Sequence, residues 1–291
     1  MDDTTLRITI AKGLGEVDKA AWDAVANPQG ASYDPFLRWD FLEALESSNA
    51  ATPRSGWEPL HLLIEGEDGS LRGAMPLYAK HHSQGEFVFD HGWADALERA
   101  GGRYYPKLLC AIPFTPVTGR RRLAPDGPDA ARLKDALLQG AVQIADDNEI
   151  SSLHLNFVEP KEADALQAVG LLHRTDQQFH WANNGYGTFD DFLAALSSSK
   201  RKNLRKERAK AQDGLRFEHL RGDAITEDHW DAFYHFYVDT GARKWGSPYL
   251  NRVTFSLLGE RMADDLLLVL AYDGATPIAG ALNLIGSDAL Y

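Results

Sequence analysis

Within eleven residues, His81, His82, Glu86, Asp90 and His91 bring together three imidazoles and two carboxylates. These groups accept and release protons near neutral pH. The string GEFVFD, read as a strand, puts Glu86, Val88 and Asp90 on one face and Phe87 and Phe89 on the other. Burial against aromatic rings would lift a carboxyl pKa toward the range of a general base. Glu86, Asp90 and His82 are the candidates for that role. Tyr105, beside Tyr104 and ahead of Pro106-Lys107, is the candidate general acid. The same residues also suit a solvated strand face with surface histidines and an aromatic packing belt, and the sequence leaves both readings open. No metal site is expected, because the histidines lack a regular ligand spacing.

A second constellation is basic. Lys200–Lys210 (KRKNLRKERAK) carries seven basic residues and one acid, a local +6 that leaves −18 for the rest of the chain's −12. On a helix, Arg201, Arg205 and Arg208 form one stripe and Lys202, Lys206 and Lys210 another. Like charges at i,i+4 destabilise a helix, so the segment points to an anionic ligand. Candidates are the phosphates of CoA or a nucleotide, the acceptor stem of a charged tRNA, and an anionic lipid-linked precursor. Lys200, Arg201, Lys202 and Arg205 are the candidate contacts, with Arg243 and Lys244 as an extension. A solvated helix face balanced by the acidic remainder is the alternative. His154 and His180 alternate with apolar residues and read as structural. Cys110, inside KLLCAIPF, reads as core.

The elements that must position these residues mix strands and helices. LRITI alternates as a half-buried strand, and Asp18 precedes a short helix as its N-cap. A helix over about Phe36–Ser47 follows, then a hairpin of HLLIE and LRGAMPLYAK around EGEDGS. LLCAIPFTPV is an apolar run broken by Pro113 and Pro116, which confines it to an edge or makes it splay from a neighbour. Leu133, Leu137, Ala141 and Ile144 mark an amphipathic helix. SSLHLNFV and QFHW read as strands, with the short helix EADALQAVG between them. The second half predicts a helix from Phe189 running into the basic segment, a strand LRFEHL, an aromatic-rich helix from about Asp228, and a hairpin around DGAT. DALY reads as the start of a further strand.

At 291 residues, with 44% hydrophobic and 25% charged residues, the chain suits a globular protein of about two domains. Its acidic balance argues against wrapping DNA. A single cysteine excludes an internal disulfide framework. The longest aliphatic run, Leu266–Leu270, is far short of a membrane span. The acidic start MDDTTLR lacks the basic region of a signal peptide, so a cytoplasmic location is expected.

The order strand, two helices, three-strand meander, then helix, strand, helix and strand resembles the acyl-CoA N-acyltransferases of the GNAT superfamily. Two such units in tandem are similar to the Fem-type aminoacyltransferases of peptidoglycan cross-bridges. The strings GEFVFDHGWADA, YYPKL, PFTPVTGRR, QFHW, SKRKNLRKER and RKWGSPYL look closer still to bacterial predicted N-acyltransferases described as peptidoglycan biosynthesis/recognition proteins. The resemblance implies an α/β (α+β) fold of tandem GNAT-like domains, residues 1–182 and 183–291, the second C-terminally incomplete at about its fourth strand. It implies transfer of an acyl or aminoacyl group to an amine of a peptidoglycan-related or other small acceptor. Acetyl-CoA or another acyl-CoA would be the donor, or an aminoacyl-tRNA in the Fem manner. A non-catalytic module that recognises cell-wall fragments is the alternative. The superfamily's pyrophosphate loop, Q/R-x-x-G-x-G/A leading into a helix, corresponds here to Thr118, Gly119, Arg120 and Arg121. That stretch has one glycine, and its arginines would supply the charge.

Overall fold

The computed structural model describes residues 6–244 and 246–291. In chain order the first half contains β1 (Arg7–Ala11), α1 (Lys19–Ala26), α2 (Trp39–Ser47), β2 (Trp57–Pro59), β3 (His61–Glu65), β4 (Leu71–Met75) and β5 (Leu77–Lys80). It continues with α3 (His91–Arg99), β6 (Lys107–Cys110), α4 (Ala130–Asp147), β7 (Leu153–Leu155) and α5 (Pro160–Ala168). The second half contains α6 (Phe189–Ala194), α7 (Ser198–Gln212), β8 (Leu215–Arg221), α8 (Glu227–Arg243), α9 (Arg252–Arg261), β9 (Leu266–Asp273) and β10 (Thr276–Leu284). The architecture is α/β, as the sequence predicts.

Two first-half sheets, β1-β3-β4 and β2-β5-β6-β7, run into each other. Pro76 separates β4 from β5, and the Leu60 N–H donates to the Leu77 carbonyl at 2.8 Å across the junction. The β5–β6 pair is antiparallel, whereas β6–β7 is parallel and connected through α4, the crossover that a parallel pair requires. Alternation along β5 and β6 assigns the two faces. Leu77, Ala79, Leu108 and Cys110 pack with Leu133, Leu137 and Ala141 of α4. Tyr78 and Leu109 face the other way, into a core shared with Trp22, Leu42 and Trp57.

That second core is continuous through both halves and takes in Trp230, Phe255, Leu266, Leu268 and Leu270. Sheet β10-β9-β8 is wholly antiparallel. Polar bonds reinforce the junction of the halves. Tyr33 Oη donates to Asp265 Oδ2 at 2.7 Å, Arg38 Nη1 reaches the same oxygen at 2.7 Å, and Thr254 Oγ1 donates to Ser48 Oγ at 2.9 Å.

Several local readings change. Asp18 does cap α1, its Oδ1 accepting from the Ala21 N–H at 2.8 Å. The helix read over Phe36–Ser47 begins at Trp39, because Pro35–Leu37 close a separate 3₁₀ turn. GEFVFD is not a strand: Phe87 (φ 58°) and Phe89 (φ 54°) lie in the left-handed region, which ends any pleat. QFHW is irregular chain, not a strand. Helix α6 ends before α7 begins, and α9 and α3 were not foreseen. DALY folds back, Leu290 bridging Ile285.

The proline-broken run starts as β6 and leaves the sheet after Cys110. After Cys110 the Asn156 N–H still donates to the Cys110 carbonyl at 3.0 Å. Residues 111–118 then loop out, and Gly119 rejoins beside Val158, its N–H donating to the Phe157 carbonyl at 3.0 Å. The parallel pair therefore parts over one short interval, where proline cannot donate to a ladder.

Candidate active site

Lys80 closes β5 and Lys107 opens β6, and the two are directly paired across the ladder. Trp57 pairs with Lys80 from β2. The row Trp57, Lys80, Lys107 thus lies on the sheet face shared with Tyr78 and Leu109. Both lysines are wholly buried. A charged amine survives such burial only with partners, and the loop from Ser83 to Asp90 supplies them.

Lys107 Nζ donates to Asp90 Oδ2 at 2.5 Å, Glu86 Oε2 at 2.8 Å and Ser83 Oγ at 2.9 Å. Tyr104 Oη donates to the same Asp90 oxygen at 2.7 Å, and Ser83 Oγ and Tyr105 Oη share a hydrogen bond of 2.7 Å. Lys80 Nζ lies 3.7 Å from the Trp57 ring centroid and donates to the Gln84 carbonyl at 3.3 Å.

Glu86, Asp90 and Lys80 are shifted in different ways. Burial raises the Glu86 pKa despite the pull of Lys107 and Lys80. Burial acts in the same direction on Asp90, but bonds from Lys107, Ser83 and Tyr104 outweigh it and hold that carboxyl below the usual range. Burial, helped by the neighbouring Lys107, lowers the Lys80 pKa to about 7. One oxygen of each carboxylate, Glu86 Oε1 and Asp90 Oδ1, is buried with no hydrogen-bond partner among the described residues. Such groups are rare in folded proteins and mark a place for water or ligand.

The sequence-predicted catalytic residues are therefore only partly assembled. Glu86, Asp90 and Tyr105 converge, although not by strand alternation. The loop's left-handed turns direct both carboxylates inward and leave Phe89 71% exposed. Burial against the two phenylalanines is thus not what raises the Glu86 pKa. His82 lies apart: a Cβ on Gly56 would meet its Nε2 at 2.3 Å, and its Nδ1 accepts from the Gln84 N–H at 3.2 Å. Burial and the nearby Lys80 lower its pKa. His154, next to the cluster on β7, is pushed down to about 4 by burial and Lys107, and bonds Ser152 Oγ at 2.8 Å. Lys80 and Lys107 were missed. The available signal was parity: Lys80 alternates with Tyr78, and Lys107 with Leu109, toward a buried face.

Aromatic side chains roof this end of the sheet. Phe114, from the excursion after β6, lies 5.2 Å from Trp57 and stacks on Tyr249 at 5.1 Å and 15°. Phe87 meets Tyr249 edge-on at 6.1 Å. A Cβ on Gly85 would strike Phe114 at 2.5 Å, and at φ +78° the position favours glycine.

The expected phosphate loop is built differently. Arg121 is wholly buried, and its guanidinium serves the carbonyls of Asn156 (2.8 Å), Arg120 (3.0 Å) and Val117 (2.6 Å). Arg122 Nε binds Glu162 at 2.9 Å. These arginines shape the excursion, and their charge is turned inward. The Gly119 N–H is already used by Phe157. Arg120 reaches Asn27 Oδ1 at 3.0 Å and the Ser32 carbonyl at 3.1 Å, and Thr118 is exposed. Where the strands part, Asn156 Nδ2 is buried with no partner among the described residues.

The basic candidates fall on α7, which buries no residue. Its arginine stripe turns to α6: Arg201 Nη2 donates to the Leu196 carbonyl at 3.0 Å, Arg205 pairs with Asp190 at 3.0 Å, and Arg208 lies 4.3 Å from the Phe189 ring. Lys200, Lys202, Lys206 and Lys210 have no partner among the described residues. Arg243 pairs with Asp239 on its own helix at 2.8 Å, and Lys244 is exposed at that helix's end.

A family model, FemAB-like, described as peptidoglycan biosynthesis/recognition, matches residues 13–291. The chain belongs to the FemAB-like family. This agrees with the resemblance carried by its motifs. No curated protein matches it. Similar solved structures include an acetyltransferase from Trypanosoma brucei, 12% identical with a TM-score of 0.35, covering 61% of the FemAB-like chain and 100% of its own. Another is an aminoglycoside antibiotic 6'-N-acetyltransferase from Acinetobacter baumannii, also 12% identical with a TM-score of 0.35, covering 62% of this chain and 99% of that one. Among the described residues of the FemAB-like chain, no group of His, Cys, Asp and Glu could hold a metal ion, and no helix is long and apolar enough to cross a membrane.

Proposed function

We infer that the chain is a cytoplasmic bacterial N-acyltransferase that acylates an amine on a peptidoglycan-related acceptor, with an acyl-CoA as donor. The observation that carries this reading is Glu86: a buried carboxylate with a raised pKa and one unpartnered oxygen. A general base works best when its pKa lies near the operating pH, and burial moves Glu86 in that direction. Asp90, held ionised by bonds from Lys107, Ser83 and Tyr104, ties the loop to Lys107.

Family membership supports the peptidoglycan context. The parting of β6 and β7 supports a seat for the donor, since Asn156 Nδ2 there is a free donor for a carbonyl oxygen whose charge grows during attack. β6 is four residues long, so about 10 Å separates the parting from Lys107. An acyl chain and an acceptor amine together fill that span. In this reading the base takes the ammonium proton, the neutral amine attacks the thioester carbonyl, and the adduct loses the second proton of its nitrogen as the C–S bond breaks, giving the amide and a sulfur that takes up that proton. We assign Tyr105, whose Oη bonds Ser83 Oγ at 2.7 Å beside Lys107, to relay that proton to the sulfur.

Thiol release from acetyl-CoA, with lysine- and diaminopimelate-containing muropeptides as acceptors, tests the reading. Glu86→Gln should lower kcat by roughly 10²–10⁴-fold. Muropeptide binding with no thiol release from any acyl-CoA would instead favour a recognition module.

A further inference from the structure

Ahead of the basic helix lies a cavity that the acyl-transfer reading does not use. It holds about 350 Å³ and is lined by Trp181, Tyr186, Gly187, Thr188, Phe189 and Phe192, a volume at the small end for ligand pockets. Its rings sit 5.6–6.3 Å apart in tilted or edge-on pairs (Trp181–Tyr186, Trp181–Phe192, Tyr186–Phe192, Phe189–Phe192). None of these pairs is stacked face to face, and the most exposed ring, Trp181, offers area to a flat guest. Trp181 is 64% exposed.

The rim is cationic. Arg208 covers Phe189, and Arg205 neutralises Asp190. The other carboxylate of α6, Asp191, exchanges hydrogen bonds with Thr188 in a capping box. Beyond these, Lys202 and Lys206 project from α7 with no partner among the described residues. An aromatic slot beside a +6 helix, on a chain of net −12, suits a ligand that is planar at one end and anionic at the other. We propose that the Trp181–Phe192 cavity and α7 form a nucleotide site: the base stacks on Trp181, and the phosphates lie along Lys202, Arg205 and Lys206.

The site also has a place in the fold. Gln178 Nε2 donates to the Pro116 carbonyl at 2.6 Å, which ties the segment leading to Trp181 to the excursion after β6. Two residues separate Gln178 from Trp181, so the Trp181 backbone lies within about 10 Å of that of Gln178. CoA, whose adenine carries a diphosphate, belongs to the ligand class on these grounds alone, and the site stands whether or not the chain transfers acyl groups.

Calorimetry of the full chain with ADP, CoA, adenosine and inorganic pyrophosphate tests the site. ADP should bind more tightly than adenosine or pyrophosphate. Trp181→Ala should weaken ADP by roughly 5- to 150-fold, the usual range for losing one base–aromatic stack, and leave pyrophosphate unchanged. Lys202→Ala with Lys206→Ala should flatten the salt dependence of ADP binding. Arg208→Glu, at an exposed position, gives a second variant that does not disturb the core and should also weaken ADP. Glu86→Gln, which should slow acyl transfer, should bind ADP as the unmodified chain does. Absence of ADP and CoA binding at millimolar concentration in low salt would overturn the proposal, and so would wild-type ADP affinity in Trp181→Ala or pyrophosphate binding as tightly as ADP.

Discussion

Lys80 and Lys107 stand directly opposite each other across an antiparallel ladder, and both are wholly buried. Like charges in that position repel, so the pair persists only because each lysine is resolved differently. Lys107 holds two carboxylates and a hydroxyl. Lys80 rests on the Trp57 ring, and burial brings its pKa down to about 7. Carboxylates compensate the first lysine, and burial brings the second close to losing its proton.

Removing Lys107 would strand the carboxylates. Lys107→Met leaves Glu86 and Asp90 buried without their common cation, and a broken buried pair costs roughly 3–5 kcal/mol. Urea unfolding should show a loss of that size. Adding Glu86→Gln and Asp90→Asn to Lys107→Met should recover part of it, because the buried charges are then gone. If the three changes add simply, the cluster is not acting as a unit.

The lysine pair also predicts a pH dependence. The Lys80 pKa is depressed on folding from its ordinary value of 10.5 to about 7. Between those limits the unfolded chain binds the extra proton, so stability rises with pH from about 7 toward 10.5. Below about pH 7 the folded state must carry the buried charge, and the gain is lost. Lys80→Met should flatten the unfolding free energy across that window. An unchanged pH slope in the variant would show that Lys80 is not the group responsible.

The sequence reading located this cluster for the wrong reason, and the physics of the error is instructive. Alternation over GEFVFD put Glu86 and Asp90 together, but two left-handed phenylalanines, which single-residue propensities do not foresee, do the same work in a loop. The lysines escaped notice because charged residues at strand ends usually lie in water, and their burial depends on a loop that joins them through space. The strands, the α4 stripe and the Asp18 cap were legible because period and capping are local. The fate of LLCAIPFTPV was legible only in part. Its prolines announced a break, whereas Gly119 rejoining at Val158 is a long-range pairing. Arg121 read as a phosphate contact because nothing local distinguishes an outward guanidinium from one enclosed by its own loop.

Arg121 gives a direct check on that correction. Its guanidinium satisfies three carbonyls from inside the excursion, a geometry that a lysine ammonium on a flexible stem does not reproduce. Arg121→Lys should therefore cost about 2 kcal/mol or more through carbonyls left unpaired, read as a lowered midpoint in denaturant. If the substitution leaves stability intact, the side chain is free to serve a ligand.

Gly119 tests how tightly the excursion is closed. A Cβ there would lie 2.7 Å from Asp34 Oδ2 and 3.3 Å from Arg121 Nη1, and the backbone cannot retreat without losing the bond to Phe157. Asp34 is itself fixed, since its Oδ1 accepts from the Phe36 N–H at 2.9 Å and Asn27 holds its backbone N–H and carbonyl. Gly119→Ala should thus destabilise by about 1–3 kcal/mol, the usual cost of overpacking. Asp34→Ala removes the oxygen that the new methyl would strike, so adding Gly119→Ala to Asp34→Ala should cost much less than adding it to the unmodified chain. An equal cost in both backgrounds would mean that Asp34 is not what holds this position to glycine.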